Sequence, residues 1–307
     1  MRIAILGATS QIAKDLVRSF AANNGHDLVL YARRPEAVTQ WLADVGLVGR
    51  YAVANFAAFN ADQHFDAILN FVGVGNPAQA AAMGASIFDV TLQYDELALS
   101  YVRQHPTCRY IFLSSGAAYG ASFDTPVDVN TRAAVPINNL QPQDWYGVAK
   151  LHAECRHRSL AHLPIVDLRV FNYFSHTQDI EASFLITDIL RAIRDKTVMQ
   201  TSSDYIVRDY LHPSDFYQLV CVMLAAPPAT NSSLDCYSKA PIDKPTLLTT
   251  MQEKFGLQIE IAHATSEIGA NGSKPHYYSK NMRAAEFGYR PKWTSLQALL
   301  LESECYF

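Results

Sequence analysis

The sequence lacks the features that mark several classes of protein. Its five cysteines are scattered, odd in number and without Cys-x-x-Cys spacing, so they indicate neither a disulfide framework nor a zinc site. The ten histidines form no His-x-x-x-His pattern, and we expect no metal site. The net charge of −4 comes without a long run of one sign, which argues against a nucleic acid or a membrane surface as partner.

Long apolar runs are also missing. No run reaches membrane-spanning length, and Arg2–Leu6 is too short and too early in the chain for a signal peptide. We therefore expect a cytoplasmic protein with no membrane partner. With 307 residues, 49% of them hydrophobic, the chain can bury a sizeable core in one large domain or two unequal ones.

The first half of the chain alternates short apolar runs with segments of helical periodicity. Such alternation predicts an α/β fold, a doubly wound parallel sheet with helices on both faces. After residue 171 the alternation fades, which predicts a smaller mixed C-terminal region in 172–307 with some helices returning to the core of 1–171. The predicted strands of the sheet are Arg2–Leu6, Asp27–Tyr31, Tyr51–Ala54, Ala67–Val72, Tyr110–Leu113 and Ile165–Val170.

The C-terminal region is predicted to contain helices and two short strands. The helices are Ile180–Asp195, Pro213–Ala225, Pro245–Phe255 and Thr294–Glu302, and the strands lie near Leu234–Tyr237 and Gln258–Ile261. In a parallel sheet, ligands bind beyond the carboxyl ends of the strands. Gly7, Ala32, Gly73 and Ser115 follow or end predicted strands, so we expect the functional site near them.

The first strand-to-helix turn, Gly7–Ala13, is a candidate phosphate loop. A glycine-rich turn at this place lets backbone N–H groups and the helix dipole hold a pyrophosphate. Glycines are usual at the positions of Gly7, Ser10 and Ala13, and only the first is glycine here. The two substitutes are small and still allow close approach. A plain turn between strand and helix is the alternative interpretation.

Tyr146 and Lys150 are the candidate catalytic pair. Their spacing of four places both on one face of the predicted helix Trp145–His162, about one turn apart. A nearby ammonium favours the phenolate and lowers the tyrosine pKa, so the pair could exchange a proton at a carbon–oxygen bond. By itself the spacing also fits an ordinary exposed pair on a helix.

Several segments in one order resemble the extended short-chain dehydrogenase/reductases, the NAD(P)-dependent sugar epimerase/dehydratase family. The segments are Gly7–Ala13, Phe71–Gly73, Phe112–Gly120, Tyr146–Lys150, Leu168–Asn172, Arg208–Asp215 and Ala285–Lys292. The resemblance covers nearly the whole chain. It implies a Rossmann-type domain over 1–171, a substrate-binding region over 172–307, and a homodimer that pairs through long helices.

The resemblance also implies roles for individual residues. Ser115, Tyr146 and Lys150 would be catalytic. Ser115, Asn172, Arg208 and Lys274 would bind the substrate. The cofactor, NADP or NAD, would be held by Gly7, Thr9, Ser10, Gln11, Ile12, Ala32, Arg33, Arg34, Asn55, Phe56, Phe71, Val72, Gly73, Tyr146, Lys150 and Phe171.

The end of the second strand departs from the family pattern. The acidic residue that usually binds the adenine ribose is missing, and Ala32 stands there, followed by Arg33 and Arg34. An acid would repel a 2′-phosphate, whereas a guanidinium fork binds one. We therefore predict a preference for NADP over NAD.

The function that the resemblance implies is reduction or epimerisation of a ring carbon (C4) of a nucleotide sugar. Reduction of a non-nucleotide carbonyl is an alternative, and a non-catalytic NADP-sensing regulator is another. A 4,6-dehydratase is not expected, because the family's Asp-Glu pair after the catalytic residue is Gly116-Ala117 here. Asp124 or Asp128 could replace those acids.

Overall fold

The apolar runs of the first half form a parallel sheet in the computed structural model, which describes residues 1–23, 25–74, 80, 82–120, 122–261 and 274–307. The strands are β1 (Arg2–Leu6), β2 (Asp27–Tyr31), β3 (Ala52–Ala54), β4 (Ala67–Asn70), β5 (Arg109–Ser115), β6 (Ile165–Val170), β7 (Asn172–Tyr173), β8 (Val198–Thr201), β9 (Val207–Arg208), β10 (Tyr210–Leu211), β11 (Ser232–Asp235), β12 (Ile242–Asp243), β13 (Gln258–Ile261) and β14 (His276–Tyr277). Seven of them form the central sheet, in the order β11–β6–β5–β4–β1–β2–β3.

Helices cover both faces of this sheet, as the alternation predicts. They are α1 (Gln11–Ala22), α2 (Pro35–Asp44), α3 (Ser86–Gln104), α4 (Trp145–Ser159), α5 (Leu185–Asp195), α6 (Pro213–Leu224), α7 (Lys244–Phe255) and α8 (Ser295–Ser303). Every paired strand of the central sheet is parallel to its neighbour. The prediction of a doubly wound α/β fold is therefore confirmed.

The two faces of the sheet bury separate apolar clusters. Ile3 and Ile5 of β1 belong to the cluster that contains side chains of α1 and α6. Ala4 and Leu6 of the same strand belong to the cluster with side chains of α3 and α4. This alternation is the two-residue period of a strand, and it is why β1 reads as a continuous apolar run.

The chain after residue 171 divides between the central sheet and a smaller region. β11 pairs with β6 at the edge of the central sheet, and α6 packs beside α1. A third apolar cluster includes side chains of α5, α7 and α8. The remaining strands form small sheets, β10–β7, β12–β9–β14 and β13–β8. Division of the chain into domains at residue 171 stays a prediction.

Two further properties bear on the class of protein. No helix within the described ranges is long and apolar enough to cross a membrane. All five cysteines are free thiols, two of them buried and two exposed.

Candidate active site

Ser115 ends β5 at the carboxyl edge of the central sheet, and Tyr146 lies in the first turn of α4. Gly147 brings these two elements together, because a Cβ at that position would lie only 2.5 Å from the carbonyl oxygen of Ala117. Ser115 Oγ accepts a hydrogen bond from the backbone N–H of Ala117 at 3.1 Å. The Ser115 and Tyr146 side chains interact, and this interaction favours the phenolate of Tyr146.

Burial has the larger effect on Tyr146. It raises the pKa of the phenol above its ordinary value, and the interaction with Ser115 opposes the shift only in part. The sequence predicted a pKa lowered by Lys150, and that direction is wrong. Nζ of Lys150 lies 5.9 Å from the centre of the Tyr146 ring, and it donates a hydrogen bond to the carbonyl oxygen of Leu113 instead of to the phenol.

Lys150 is buried against β5, the strand that ends at Ser115. Its Nζ donates a hydrogen bond to the carbonyl oxygen of Leu113 at 2.7 Å and lies 4.3 Å from the centre of the Phe112 ring. Burial lowers the pKa of Lys150 to about 8, against the opposing charges of Asp95, Glu154 and Asp167. A Cβ on Gly73 would lie 3.4 Å from Nζ, so the segment that follows β4 lies against Lys150 of α4.

The candidate phosphate loop begins with a glycine in the left-handed region of backbone conformation. Gly7 has a φ of +82°, and a Cβ there would lie 2.8 Å from the backbone nitrogen of Val72. Only glycine combines that conformation with so close an approach. Ser10 is the N-cap residue of α1 and makes no side-chain capping bond, so N–H groups of the first turn are left for a ligand. Thr9 is exposed, and Ile12 is half-buried.

The end of β2 presents two arginines to solvent. Ala32 is buried, whereas Arg33 and Arg34 are exposed, and the described residues offer neither guanidinium a carboxylate partner. Asn55 follows β3, where its side chain accepts a hydrogen bond from the N–H of Ala58. Phe56 lies beside it and packs against Tyr94, with ring centres 4.5 Å apart.

The side chains of three predicted cofactor residues, Gln11, Phe71 and Phe171, already contact other parts of the protein. Gln11 donates from Nε2 to Oγ of Ser175 at 2.9 Å, which ties α1 to the chain after β7. Phe71 is buried in the core cluster of α1 and α6, and half-buried Val72 follows it. The ring of Phe171 packs against the rings of Phe123 and Tyr277. A cofactor could contact the backbone of these residues.

Two predicted substrate residues lie side by side beyond the serine. Nη1 of Arg208 donates a hydrogen bond to the carbonyl oxygen of Lys274 at 2.7 Å. Burial lowers the pKa of Lys274, and the charge of Arg208 lowers it further. Arg208 forms no salt bridge with a carboxylate in the described ranges, and burial lowers its pKa as well. The charge of Asp144 acts on Lys274 in the opposite direction, but neither cation forms a salt bridge in the described ranges, so the pair is suited to an anionic ligand.

Asn172, the remaining predicted substrate residue, is the first residue of β7. Its Nδ2 donates a hydrogen bond to the carbonyl oxygen of Asp209 at 3.2 Å. The Oδ1 atom of Asn172 has no recorded partner in the described part of the chain. Because Asp209 directly follows Arg208 in the chain, this hydrogen bond holds the side chain of Asn172 next to the strand that carries Arg208.

Tyr277 is a site residue that the sequence did not reveal. Its hydroxyl lies 3.3 Å from Oγ of Ser115, and its pKa is raised well above the ordinary value, chiefly by burial. Its ring is in contact with Phe123 and Phe171, and Nζ of Lys274 lies 5.1 Å from the ring centre. No motif in the sequence marks Tyr277 as a site residue. Its only signal is that it lies three residues after Lys274.

Among the described residues, no group of three or more histidine, cysteine, aspartate or glutamate side chains could hold a metal ion.

Comparison with known proteins decides the family. The family model described as NAD dependent epimerase/dehydratase family matches residues 3–234. The chain belongs to this family. No curated protein matches the chain by sequence. The epimerase/dehydratase assignment rests on the family model and agrees with the resemblance found in the sequence.

Solved structures show the same fold at low identity. UDP-glucose-4-epimerase from Stenotrophomonas maltophila, with bound NAD and formylated UDP-arabinopyranose, is 17% identical with a TM-score of 0.80, covering 100% of this chain and 97% of that one. UDP-glucuronic acid 4-epimerase from Bacillus cereus is 15% identical with a TM-score of 0.78, covering 100% and 99%. dTDP-glucose 4,6-dehydratase from Bacillus anthracis is 16% identical with a TM-score of 0.76, covering 100% and 96%.

This epimerase/dehydratase family member lacks an acid next to its serine. Gly116 and Ala117 follow Ser115 directly. Asp124 and Asp128, which the sequence left as substitutes, are both exposed. Asp124 is bonded to Ser122, and Asp128 accepts hydrogen bonds from Asn130 and Thr131 in its own turn.

Proposed function

We propose that the protein is an NAD(P)-dependent oxidoreductase that interconverts a hydroxyl and a keto group at C4 of a nucleotide sugar, by net reduction or by epimerisation. One arrangement carries the proposal. Tyr277 contacts both groups of the site: its hydroxyl lies 3.3 Å from Oγ of Ser115, and its ring centre lies 5.1 Å from Nζ of Lys274, which is paired with Arg208. A proton-transfer site is thus next to an anion site.

Each residue of the catalytic set has a distinct role in this proposal. Tyr146 gives or takes the proton at the reacting oxygen, and Ser115 donates a hydrogen bond that holds this oxygen beside the phenol. Lys150 keeps a positive charge next to the cofactor ribose, near Gly73. Because burial raises the pKa of Tyr146, the phenol is protonated at neutral pH and is ready to act as an acid in the reducing direction.

The turn between β1 and α1 is the proposed binding site for the pyrophosphate of the dinucleotide. Gly7 leaves no room for a side chain between the first turn and Val72, so a pyrophosphate can approach the N-terminus of α1 closely. The nicotinamide supplies or accepts the hydride when it is bound. The protein binds and orients the cofactor. We propose that Arg33 and Arg34 select the 2′-phosphate of NADP.

The diphosphate of the nucleotide is the proposed ligand of Arg208 and Lys274. Arg208 is oriented by the carbonyl oxygens of Val207 and Lys274, which leaves donors of its guanidinium for a ligand. Arg208 and Lys274 are both half-buried, and the repulsion between these two cations is relieved when an anion binds between them. A substrate without phosphate would leave this repulsion in place.

Dehydration is not part of the proposal. Removal of water from the sugar needs an acid and a base at neighbouring ring carbons. The residues that follow Ser115 cannot transfer protons, and the two loop aspartates are hydrogen-bonded at the surface. A homodimer, which the family resemblance implies, stays a prediction.

The test is a binding screen with UDP-, dTDP- and GDP-hexoses, read as thermal stabilisation. A ligand at a hundred times its Kd adds about 2.7 kcal/mol to the free energy of unfolding. Arg208→Ala should weaken binding of the stabilising sugar about 10- to 150-fold, the value of a charge-assisted hydrogen bond of about 1.5–3 kcal/mol. Arg208→Lys keeps the charge and should lose less.

Arg194→Ala is the matched control, because Arg194 is an exposed arginine of α5 paired with Glu181 and Asp195. It should bind the sugar like the original protein. The proposal is refuted if no nucleotide sugar stabilises the protein while a carbonyl compound without phosphate does so. Equal loss of binding in both arginine variants would also refute the assignment of Arg208.

A further inference from the structure

The hydroxyl of Ser115 has three neighbours that compete for its hydrogen bonds. Its Oγ accepts a hydrogen bond from the backbone N–H of Ala117 at 3.1 Å and lies 3.3 Å from the hydroxyl oxygen of Tyr277. It also interacts with the phenol of Tyr146. A serine hydroxyl has one proton to donate and two lone pairs that accept. The use of that proton therefore depends on whether Ser115 or Tyr277 is the donor in their contact.

The phenol of Tyr277 is held in place beside Ser115 by its surroundings. Its strand, β14, pairs with β9, and the N–H of the preceding residue, His276, donates to the carbonyl oxygen of Phe123 at 2.9 Å. The ring of Tyr277 packs against the rings of Phe123 and Phe171, with ring centres 4.8 and 5.3 Å apart. Backbone pairing and ring packing therefore fix this phenol independently of its contact with Ser115.

Gly116 provides the space for this packing. A Cβ at position 116 would lie only 2.4 Å from Cδ1 of Phe171, so a side chain does not fit there unless the Phe171 ring moves. The same glycine stands where the dehydratase pattern has an acid directly after the catalytic serine. The residue that argues against dehydration thus also admits the ring that supports Tyr277.

Tyr277 can donate a proton to Ser115 at neutral pH. Burial raises the pKa of its phenol well above the usual value of ~10, so the hydroxyl stays protonated. The N–H of Ala117 uses one lone pair of the Ser115 oxygen, and the other lone pair can accept the proton of Tyr277. Both lone pairs of Ser115 are then taken, and its own proton is left for a different acceptor.

We propose that Tyr277 is a positioning residue that makes Ser115 a donor only: Tyr277 donates to Oγ, and the Ser115 proton is thereby directed to the reacting oxygen of the substrate. The inference rests on the proposed function, in which Ser115 holds that oxygen beside Tyr146. A keto oxygen has only lone pairs, so it accepts from both hydroxyls, and these bonds strengthen as negative charge develops on it. Tyr277 acts on the transition state through Ser115.

The test is a double-mutant cycle of Tyr277→Phe, Ser115→Ala and the double variant, with a nucleotide sugar that stabilises the protein. Tyr277→Phe alone should lower kcat about 2- to 12-fold, the value of a neutral hydrogen bond. It should leave KM unchanged, because the bond acts in the transition state. In Ser115→Ala, the same substitution should not change kcat. Tyr278→Phe is the matched control and should leave kcat unchanged in both backgrounds.

Chemical unfolding of the same proteins tests the hydrogen bond without activity, and the two substitutions should be coupled there as well. The inference is overturned if the kcat loss of Tyr277→Phe persists in Ser115→Ala, because Tyr277 then does not act through the serine. It is also overturned if the substitutions are coupled in unfolding but independent in kcat, because the contact is then structural only.

Failure of the proposed function gives a different result. Turnover retained by Tyr146→Phe refutes the proposed chemistry even where Tyr277→Phe and Ser115→Ala are coupled. If no nucleotide sugar is turned over, the proposed function fails and this inference fails with it, although coupling in unfolding would still show the hydrogen bond. If Tyr146→Phe is inactive and the cycle shows no coupling in kcat, only the inference about Tyr277 fails.

Discussion

The hydroxyl of Tyr277 lies 3.3 Å from Oγ of Ser115, although the two residues are 162 positions apart in the chain. Ser115 thus stands between two phenols, that of Tyr146 in α4 and that of Tyr277 in β14. The charge of one phenolate raises the pKa of the other. The two tyrosines therefore cannot both be ionised easily, and only one can be the proton carrier.

Loss of the Tyr277 hydroxyl tests its part in the site. Tyr277→Phe keeps the ring between Phe123 and Phe171 but removes the contact with Ser115. We expect kcat/KM to fall roughly 2- to 12-fold, the value of a neutral hydrogen bond of about 0.5–1.5 kcal/mol. Tyr278→Phe is the control, because Tyr278 has no recorded hydroxyl partner among the described residues. A loss as large as that of Tyr146→Phe would mean that Tyr277 is the proton carrier.

Cofactor choice is expected to depend on the two arginines after β2. Arg33 and Arg34 are exposed beside Ala32, where an acid would repel a 2′-phosphate. NADP should bind about 10- to 150-fold more tightly than NAD. Arg33→Ala and Arg34→Ala should reduce that ratio, and Arg194→Ala should not. The measurement is the Kd of both cofactors in each protein. Tighter binding of NAD by the original protein would reject the preference and favour an epimerase.

Lys150 should control the activity at moderately alkaline pH. Burial lowers its pKa to about 8, so the ammonium is present below that pH and is lost above it. We expect kcat/KM to fall as pH rises through about 8, because this ratio reports ionisation of the free enzyme. Tyr146 has a raised pKa and cannot cause an inflection there. A pH profile with no change near 8 would count against the charged role of Lys150.

Stability should depend on His157, which lies away from the site between two buried acids. Its Nε2 is 2.7 Å from Asp95 and its Nδ1 is 2.5 Å from Asp167. Burial by itself would lower the pKa of His157, but the two carboxylates outweigh it and raise the pKa to about 9. The difference from the unfolded value of ~6.5 corresponds to a contribution on the order of 3 kcal/mol.

The sign of this contribution follows from the raised pKa of the folded state. The stabilisation is complete below pH ~6.5 and is lost as pH rises through about 9. Chemical unfolding of the original protein and of His157→Gln should therefore differ most at low pH and converge at high pH. His162→Gln, at an exposed position, should show no such trend. A pH-independent difference for His157→Gln would contradict the account.

The sequence predicted what depends on local patterns. The apolar runs located six strands of the central sheet, and the spacing of Tyr146 and Lys150 placed both on α4. The seventh strand, β11, contains Ser232 and Ser233 and has no continuous apolar run, so its place at the sheet edge was not predicted. Its position is set by pairing with β6, a contact between distant parts of the chain.

The same reason explains what the sequence could not show of the site. Tyr277 reaches Ser115 because β14 pairs with β9, which sets Tyr277 opposite Arg208. The direction of the Tyr146 pKa depends on burial, and the expectation from charge alone was wrong because Nζ of Lys150 turns to the carbonyl oxygen of Leu113. Both features arise from packing that residue spacing does not encode.

The turnover of Tyr146→Phe, with a nucleotide sugar that stabilises the protein, tests the central claim most directly. The substitution keeps the ring and removes the proton carrier. General acid–base catalysis contributes ~10²–10⁴-fold, so we predict a loss of that size with cofactor binding unchanged. Turnover close to that of the original protein, with the cofactor still bound, would contradict the proposed chemistry.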